Sequence, residues 1–162
     1  MNTPIPMTTA IRLLKEKKIN FEPAFYEYEE KGGTAVSSRE LGVTENIVIK
    51  TLIMEDENKK PMIVLMHGDR QVSTKNLARE LNVKTIKPCE PEIANRHSGY
   101  VVGGTSPFAT KKAMPVIMQK SIADLEYIYI NGGKKGFLIK LKTADAIQIL
   151  SPKLFDIATE SV

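Results

Sequence analysis

The chain has 162 residues, 42% of them hydrophobic and 26% charged, which suits one globular domain over 1–162 and leaves no apolar run of the roughly 20 residues that a membrane span needs. A single cysteine excludes an intramolecular disulfide framework and fits a reducing, cytoplasmic setting, and the N-terminus shows no secretory signal. The net charge of +4 is mild but uneven: residues 22–57 hold nine acids against three bases, and residues 99–142 hold seven lysines against two acids.

The first predicted helix is "TTAIRLLKEKK", with Thr8 or Thr9 as its cap and Ala10, Ile11, Leu13 and Leu14 turned inward. "INFEPAFYEYEE" reads as a strand interrupted at Pro23. "SSRELG" reads as a short helix in which Ser37 and Glu40 have capping-box spacing and Gly42 is the stop. "VIKTLIM" and "PMIVLMHG" are apolar strands joined by the charged turn "EDENKK". "STKNLARELN" predicts a helix capped by Ser73 or Thr74, and "CEPEIANRHSG" a further short helix before a strand "YVVGG". "YIYIN" and "FLIKL" bracket "GGKKG" as a hairpin, and "TADAIQILSP" is a closing helix capped by Thr143. Strands outnumber helices and several meet at hairpin-length turns. The predicted class is therefore α/β of the α+β kind: a mixed, largely antiparallel, barrel-like sheet surrounded by helices, and not a Rossmann repeat.

The common catalytic kits are missing. His67 and His97 have no zinc-ligand spacing with Cys89 and read as ordinary polar positions, and Cys89 reads as a buried or loop thiol. There is no G-x-S-x-G elbow and no phosphate-binding P-loop, and the acids of the N-terminal third read as solvated surface. Lys50 stands out inside the apolar strand "NIVIKTLIM", where it either snorkels to an edge or points into a site open to solvent, with Thr51 on the opposite face. In "GYVVGGTSPFATKK", Gly103 and Gly104 remove two side chains, so that backbone N–H groups can reach a ligand oxygen. Thr105 and Ser106 add hydroxyls, Pro107 stiffens the turn, and Lys111 and Lys112 suit phosphate contacts; a tight loop with solvated lysines explains the same string.

"VIKTLI", "GYVVGGTSPFATKK" and "IYINGGKKGFLIKL", in this order and at these intervals, resemble the YbaK/EbsC family of Cys-tRNA(Pro) deacylases, relatives of the editing domain of bacterial prolyl-tRNA synthetase. The resemblance implies that Lys50 is the essential active-site lysine with Thr51 beside it. It implies too that the Gly103–Gly104 backbone lines the aminoacyl pocket and that Tyr26 is a pocket tyrosine. Asn131 falls where relatives often carry serine, Leu138 where some carry aspartate, and Ala109 where glycine is common after "SPF". The implied chemistry explains the missing kit: the substrate's own thiol attacks its ester, so the protein positions the ester and stabilises charge without metal or cofactor. The implied partners are mischarged tRNA(Pro), with Lys111, Lys112, Lys134 and Lys135 on its phosphates, and prolyl-tRNA synthetase; a monomer is the default. A deacylase for another small amino acid such as alanine, and a silent tRNA- or synthetase-binding module, are the alternatives.

Overall fold

The structure is a computed structural model that describes residues 4–159. In chain order it runs α1 (Thr9–Glu16), β1 (Glu22–Phe25), α2 (Gly33–Leu41), β2 (Ile49–Asp56), β3 (Pro61–His67), β4 (Gln71–Val72), α3 (Thr74–Leu81) and β5 (Ile86–Pro88). It continues with α4 (Pro91–Ser98), β6 (Val116–Gln119), β7 (Tyr127–Lys134), β8 (Phe137–Lys142), α5 (Thr143–Leu150), β9 (Lys153–Phe155) and β10 (Ala158–Thr159). Short 3-10 turns at Glu45–Ile47 and Lys120–Asp124 precede β2 and follow β6.

The strands form a five-stranded sheet in the order β5-β2-β3-β6-β9, a three-stranded sheet β1-β8-β7 and a β10-β4 pair. β3–β6 and β6–β9 are parallel, and the other pairs are antiparallel. A single bridge between Val48 and Tyr129 ties the two larger sheets into a barrel-like wrap without a closed ring of pairing among the described residues.

Alternation along the strands explains the arrangement. Ile49, Ile53, Ile63, Leu65 and Met118 point from the five-stranded sheet toward Ile128, Ile130, Phe137, Ile139 and Leu141 of the smaller one. Met54, Met62, Val64, Met66 and Ile117 point the other way and pack beneath Leu77 and Ala78 of α3. α1 closes the first core with Ala10, Ile11 and Leu14 at zero exposure, and Thr8 caps it by accepting from the Ile11 N–H at 3.1 Å. α3 begins as expected at Ser73, whose hydroxyl accepts from the Asn76 N–H.

Several expectations need correction. β1 runs straight through Pro23, which pairs opposite Ile139 on an edge strand where a missing N–H costs little. α2 starts four residues before Ser37, so Ser37 is an interior residue whose hydroxyl donates to the Thr34 carbonyl rather than a cap; Gly42 ends the helix in the left-handed conformation, as expected. Thr143 is the first residue of α5 and not its cap, and its buried hydroxyl has no partner among the described residues. "YVVGG" is not a strand: residues 99–115 form an irregular loop before β6, a parallel strand absent from the sequence reading. Two of the acids read as solvated are buried: Glu55 takes the Cys89 thiol, and Asp56 accepts from the Asn58 and Lys60 N–H groups to shape the β2–β3 turn.

Candidate active site

A cavity of about 650 Å³ opens where the β2 edge, the segment after β1, the start of α2 and the glycine loop converge. Tyr26, Lys50, Thr51, Gly103, Thr105 and Asn131, which are distant in sequence, all line it. Of the other residues singled out in the sequence, Gly104, Ser106, Pro107, Lys111, Lys112, Lys134 and Lys135 do not.

β2 supplies two neighbours with opposite directions. Lys50, paired with Met66, sends its ammonium to donate to the Arg70 carbonyl in the turn after β3. Burial pushes this lysine below its ordinary pKa, and the carboxylates of Glu45 and Asp69 pull it partly back. Thr51 lies on the Ile49–Ile53 face, and its hydroxyl is buried with no partner among the described residues. A buried hydroxyl left unpaired is costly, about 1–3 kcal/mol.

The glycine loop is held from both sides. The Tyr100 hydroxyl donates to the Phe108 carbonyl at 2.5 Å and accepts from Thr9 at 2.9 Å, and Phe108 is fully buried. Asn131 occupies the bulge between β7 and β8. Its Oδ1 accepts from the N–H groups of Gly133 (2.6 Å) and Lys134 (3.1 Å), and its Nδ2 donates to the Gly103 carbonyl at 3.3 Å. Asn131 is therefore a clamp between hairpin and loop.

The two glycines have separate reasons. Gly103 has φ +98°, and a Cβ there would lie 2.5 Å from the Tyr28 hydroxyl oxygen. The expectation that both glycine N–H groups face a ligand fails at Gly104, whose N–H donates to the Val101 carbonyl at 2.7 Å. A Cβ on Gly104 would meet the Lys135 nitrogen at 2.7 Å, so its bareness serves backbone packing on the hairpin. Ser106 also turns inward: it is fully buried, and its hydroxyl accepts from the Phe108 N–H at 3.2 Å.

The sequence reading missed the opposite wall. Gly33, Thr34 and Ser37 of α2 line the cavity, with Tyr28 and Glu30 at its rim. Lys135 bridges to Glu30 at 3.2 Å and lies 5.0 Å from the centre of the Tyr28 ring, so one hairpin lysine is internally paired. Only the cluster "FYEYEE" hinted at this wall, as aromatic residues mixed with acids beyond a strand.

The cavity holds little that acts as base or nucleophile. Neither histidine lines it. Cys89 does, but burial first and the Glu55 carboxylate second push its thiol up to about 12, so at neutral pH it is protonated and a poor nucleophile. Burial also pushes the Tyr26 phenol up. Among the described residues no group of His, Cys, Asp and Glu side chains is arranged to hold a metal ion, and no helix is long and apolar enough to cross a membrane.

Known proteins share this architecture. A hypothetical protein of known crystal structure superposes with a TM-score of 0.85 at 17% identity, covering 94% of this chain and all of its own. A proposed trans-editing enzyme for prolyl-tRNA synthetase superposes at 0.81 with 13% identity, covering 96% and 100%. In sequence, the chain is 23% identical over 154 residues to EbsC of Enterococcus faecalis, named for a proposed Cys-tRNA(Pro)/Cys-tRNA(Cys) deacylase activity, with 94% of each chain covered. It is 33% identical over 120 residues to the proline–tRNA ligase of Thermodesulfovibrio yellowstonii, matching 72% of this chain but only 20% of the ligase. The family model of the aminoacyl-tRNA editing domain matches residues 29–149, and the protein belongs to that family.

Proposed function

We propose that residues 1–162 form one editing domain that deacylates Cys-tRNA(Pro) in trans, in the cytoplasm, as a monomer working beside prolyl-tRNA synthetase. The observation that carries this reading is a cavity that gathers Lys50, Thr51 and the Gly103 loop, is lined by neither histidine, and holds its cysteine protonated and its Glu30 carboxylate paired with Lys135. The nucleophile then comes with the substrate. The cysteinyl sulfur attacks its own ester carbonyl, a C–S bond forms, the C–O bond to the ribose breaks, and the thiol proton ends on the released tRNA hydroxyl. A small cyclic thioester is left, which water opens.

The protein's share is geometry and charge. Lys50 stabilises the oxyanion that develops on the carbonyl. The Thr51 hydroxyl, unpaired among the described residues, takes a polar atom of the aminoacyl group. Thr105 and the backbone around Gly103, held by Asn131, set the ester's position. Leu138 is a buried apolar wall of the same cavity and favours a second reading, removal of another small amino acid such as alanine. Turnover of purified Cys-tRNA(Pro) and Ala-tRNA(Pro), followed side by side, separates the two readings.

The tRNA body needs cations outside the cavity. Lys111 and Lys112 are exposed, and their backbone N–H groups bind the Ser98 and His97 carbonyls at the end of α4. Lys134 is also exposed, whereas Lys135 is already paired with Glu30. Lys111→Ala and Lys112→Ala should each reduce the slope of log affinity against log salt by about 1. Lys135→Ala should change it less than either. Unchanged slopes for all of them would take RNA away from this face.

A further inference from the structure

A second cavity of about 390 Å³ lies apart from the first and is lined almost wholly by polar side chains: Asn46, His67, Arg70, Gln119, Ser121 and Asp156. At its centre the His67 Nε2 is 2.8 Å from the Ser121 hydroxyl oxygen, and the His67 Nδ1 is 2.7 Å from the Asn46 backbone carbonyl. Hydrogen-bond direction follows from what each atom is able to do. A carbonyl oxygen only accepts, so Nδ1 carries the proton, and in the neutral ring Nε2 accepts. The Gln119 amide nitrogen donates to the same Ser121 oxygen at 3.1 Å and to Asp156 at 2.9 Å, while its Oε1 accepts from the Ile157 N–H at 2.7 Å, which fixes the amide's orientation. Ser121 receives one proton from Gln119 and has its own left to give, and the acceptor in line is His67 Nε2.

Two features of an activated nucleophile are therefore present, a hydroxyl bonded to an imidazole and a third group that sets the tautomer, and Arg70 lines the same cavity as a cation. His67 is 4% exposed and cannot swing away, whereas Ser121 is exposed and reachable. Arg70 lines the cavity and donates to the Thr159 carbonyl through a long bond of 3.4 Å. None of these side chains takes part in the deacylation described above.

We propose that Ser121 and His67 form a second reactive site, an acyl-accepting serine for small hydrophilic carboxylic esters, with Arg70 facing the negative charge that develops on the carbonyl oxygen. In the first step the Ser121 oxygen bonds to the ester carbonyl carbon as its proton passes to His67 Nε2. The C–O bond to the alcohol breaks, and the departing alkoxide takes the proton from His67. In the second, water attacks the acyl-serine carbon while giving a proton to Nε2. The bond to Ser121 breaks, and the serine oxygen recovers that proton. The two cavities share no lining residue and meet only through the Arg70 backbone carbonyl that accepts from Lys50, so labelling of Ser121 tests this site separately from the deacylase reading.

A fluorophosphonate probe tests it, because such reagents phosphonylate an imidazole-activated serine with loss of fluoride. Intact-mass analysis and peptide mapping of the whole protein should show one adduct, on Ser121. Ser121→Ala, a change at an exposed position, should abolish it, and His67→Gln should slow labelling at least about 100-fold, the span of a positioned general base. Circular dichroism of the His67→Gln protein guards against mere unfolding, and the Ser121→Ala result decides the matter without it. An adduct on another residue, or labelling no faster than that of an unactivated serine peptide, would overturn the proposal.

Discussion

Replacing Lys50 with alanine should lower deacylation at least about 100-fold, the scale measured when a single charge-stabilising group is removed from an active site. The thermal midpoint should move little. The reason lies in β2, where the strand carries Lys50 beside the buried Ile49 and the ammonium donates to the Arg70 carbonyl. Removing a half-buried charge also removes its desolvation cost, which offsets the lost hydrogen bond. The same environment gives the reaction a pH signature. Burial lowers the lysine's pKa, so the charged form is lost earlier as pH rises, and the alkaline limb of the rate profile should lie below the range of an ordinary lysine. Glu45→Gln removes a carboxylate that pulls this pKa back up, so it should move that limb further toward neutral pH. Single-turnover rates across pH, corrected for spontaneous ester hydrolysis, measure both effects. An undiminished Lys50→Ala enzyme would reduce this lysine to a structural contact.

Gly104→Ala should be comparably damaging, but by a different route. An added Cβ would stand 2.7 Å from the Lys135 nitrogen and 2.8 Å from the Lys134 carbonyl carbon, both of them backbone atoms that cannot turn aside. Either the hairpin or the loop must move, and the loop carries Gly103 and Thr105 into the cavity. We expect turnover to fall at least about 100-fold, as misplacement of about 1 Å near a reacting group can do. We expect the melting temperature to fall as well, by roughly 4–8 °C if the strain costs about 2 kcal/mol in a chain of this size. Gly103→Ala tests the other half of the pair, where the obstruction is the flexible end of Tyr28 and the positive φ is the main penalty. Wild-type turnover and melting in Gly104→Ala would mean that the loop accommodates the methyl and that its packing on the hairpin is loose.

How much of this was legible in the sequence depends on the range of the interaction. Features set within one turn of chain were readable: the caps to within one residue (Thr8 or Thr9, Ser73 or Thr74, of which Thr8 and Ser73 serve), Gly42 as a stop, and the hairpin around residues 132–136. Features set by distant partners were not. β6 contains no alternation to announce it, because a parallel strand buried on both faces reads simply as "VIMQ". The reverse error occurred at "YVVGG", where β-branched residues suggested a strand. There the Gly103 backbone at φ +98° and the Gly104–Val101 hydrogen bond form a turn instead.

The site divides along the same line. Lys50 and the double glycine were conspicuous as local anomalies, a charge in an apolar strand and two missing side chains. The α2 wall of Thr34 and Ser37, the clamping role of Asn131 and the Lys135–Glu30 pair depend on contacts across 28 to 105 residues of sequence, for which local pattern offers no signal. The lysines of residues 111–112 and 134–135 looked equivalent by charge alone. The fold distinguishes them by placing an acid against only one, Lys135, among the ion pairs of the described residues.

The central claim is that the substrate provides the nucleophile, and the most direct measurement compares two esters that differ in one atom. Purified Cys-tRNA(Pro) and Ser-tRNA(Pro) should be followed under single-turnover conditions at the same enzyme concentration. Thiol and hydroxyl are close in size, and both can bond to Thr51, but only the thiol ionises readily and is strongly nucleophilic near neutral pH. The account predicts that the cysteinyl ester is cleaved at least about 100-fold faster, the gain expected from a well-placed intramolecular nucleophile being larger still. Equal rates on the two esters would contradict it and assign the attack to water.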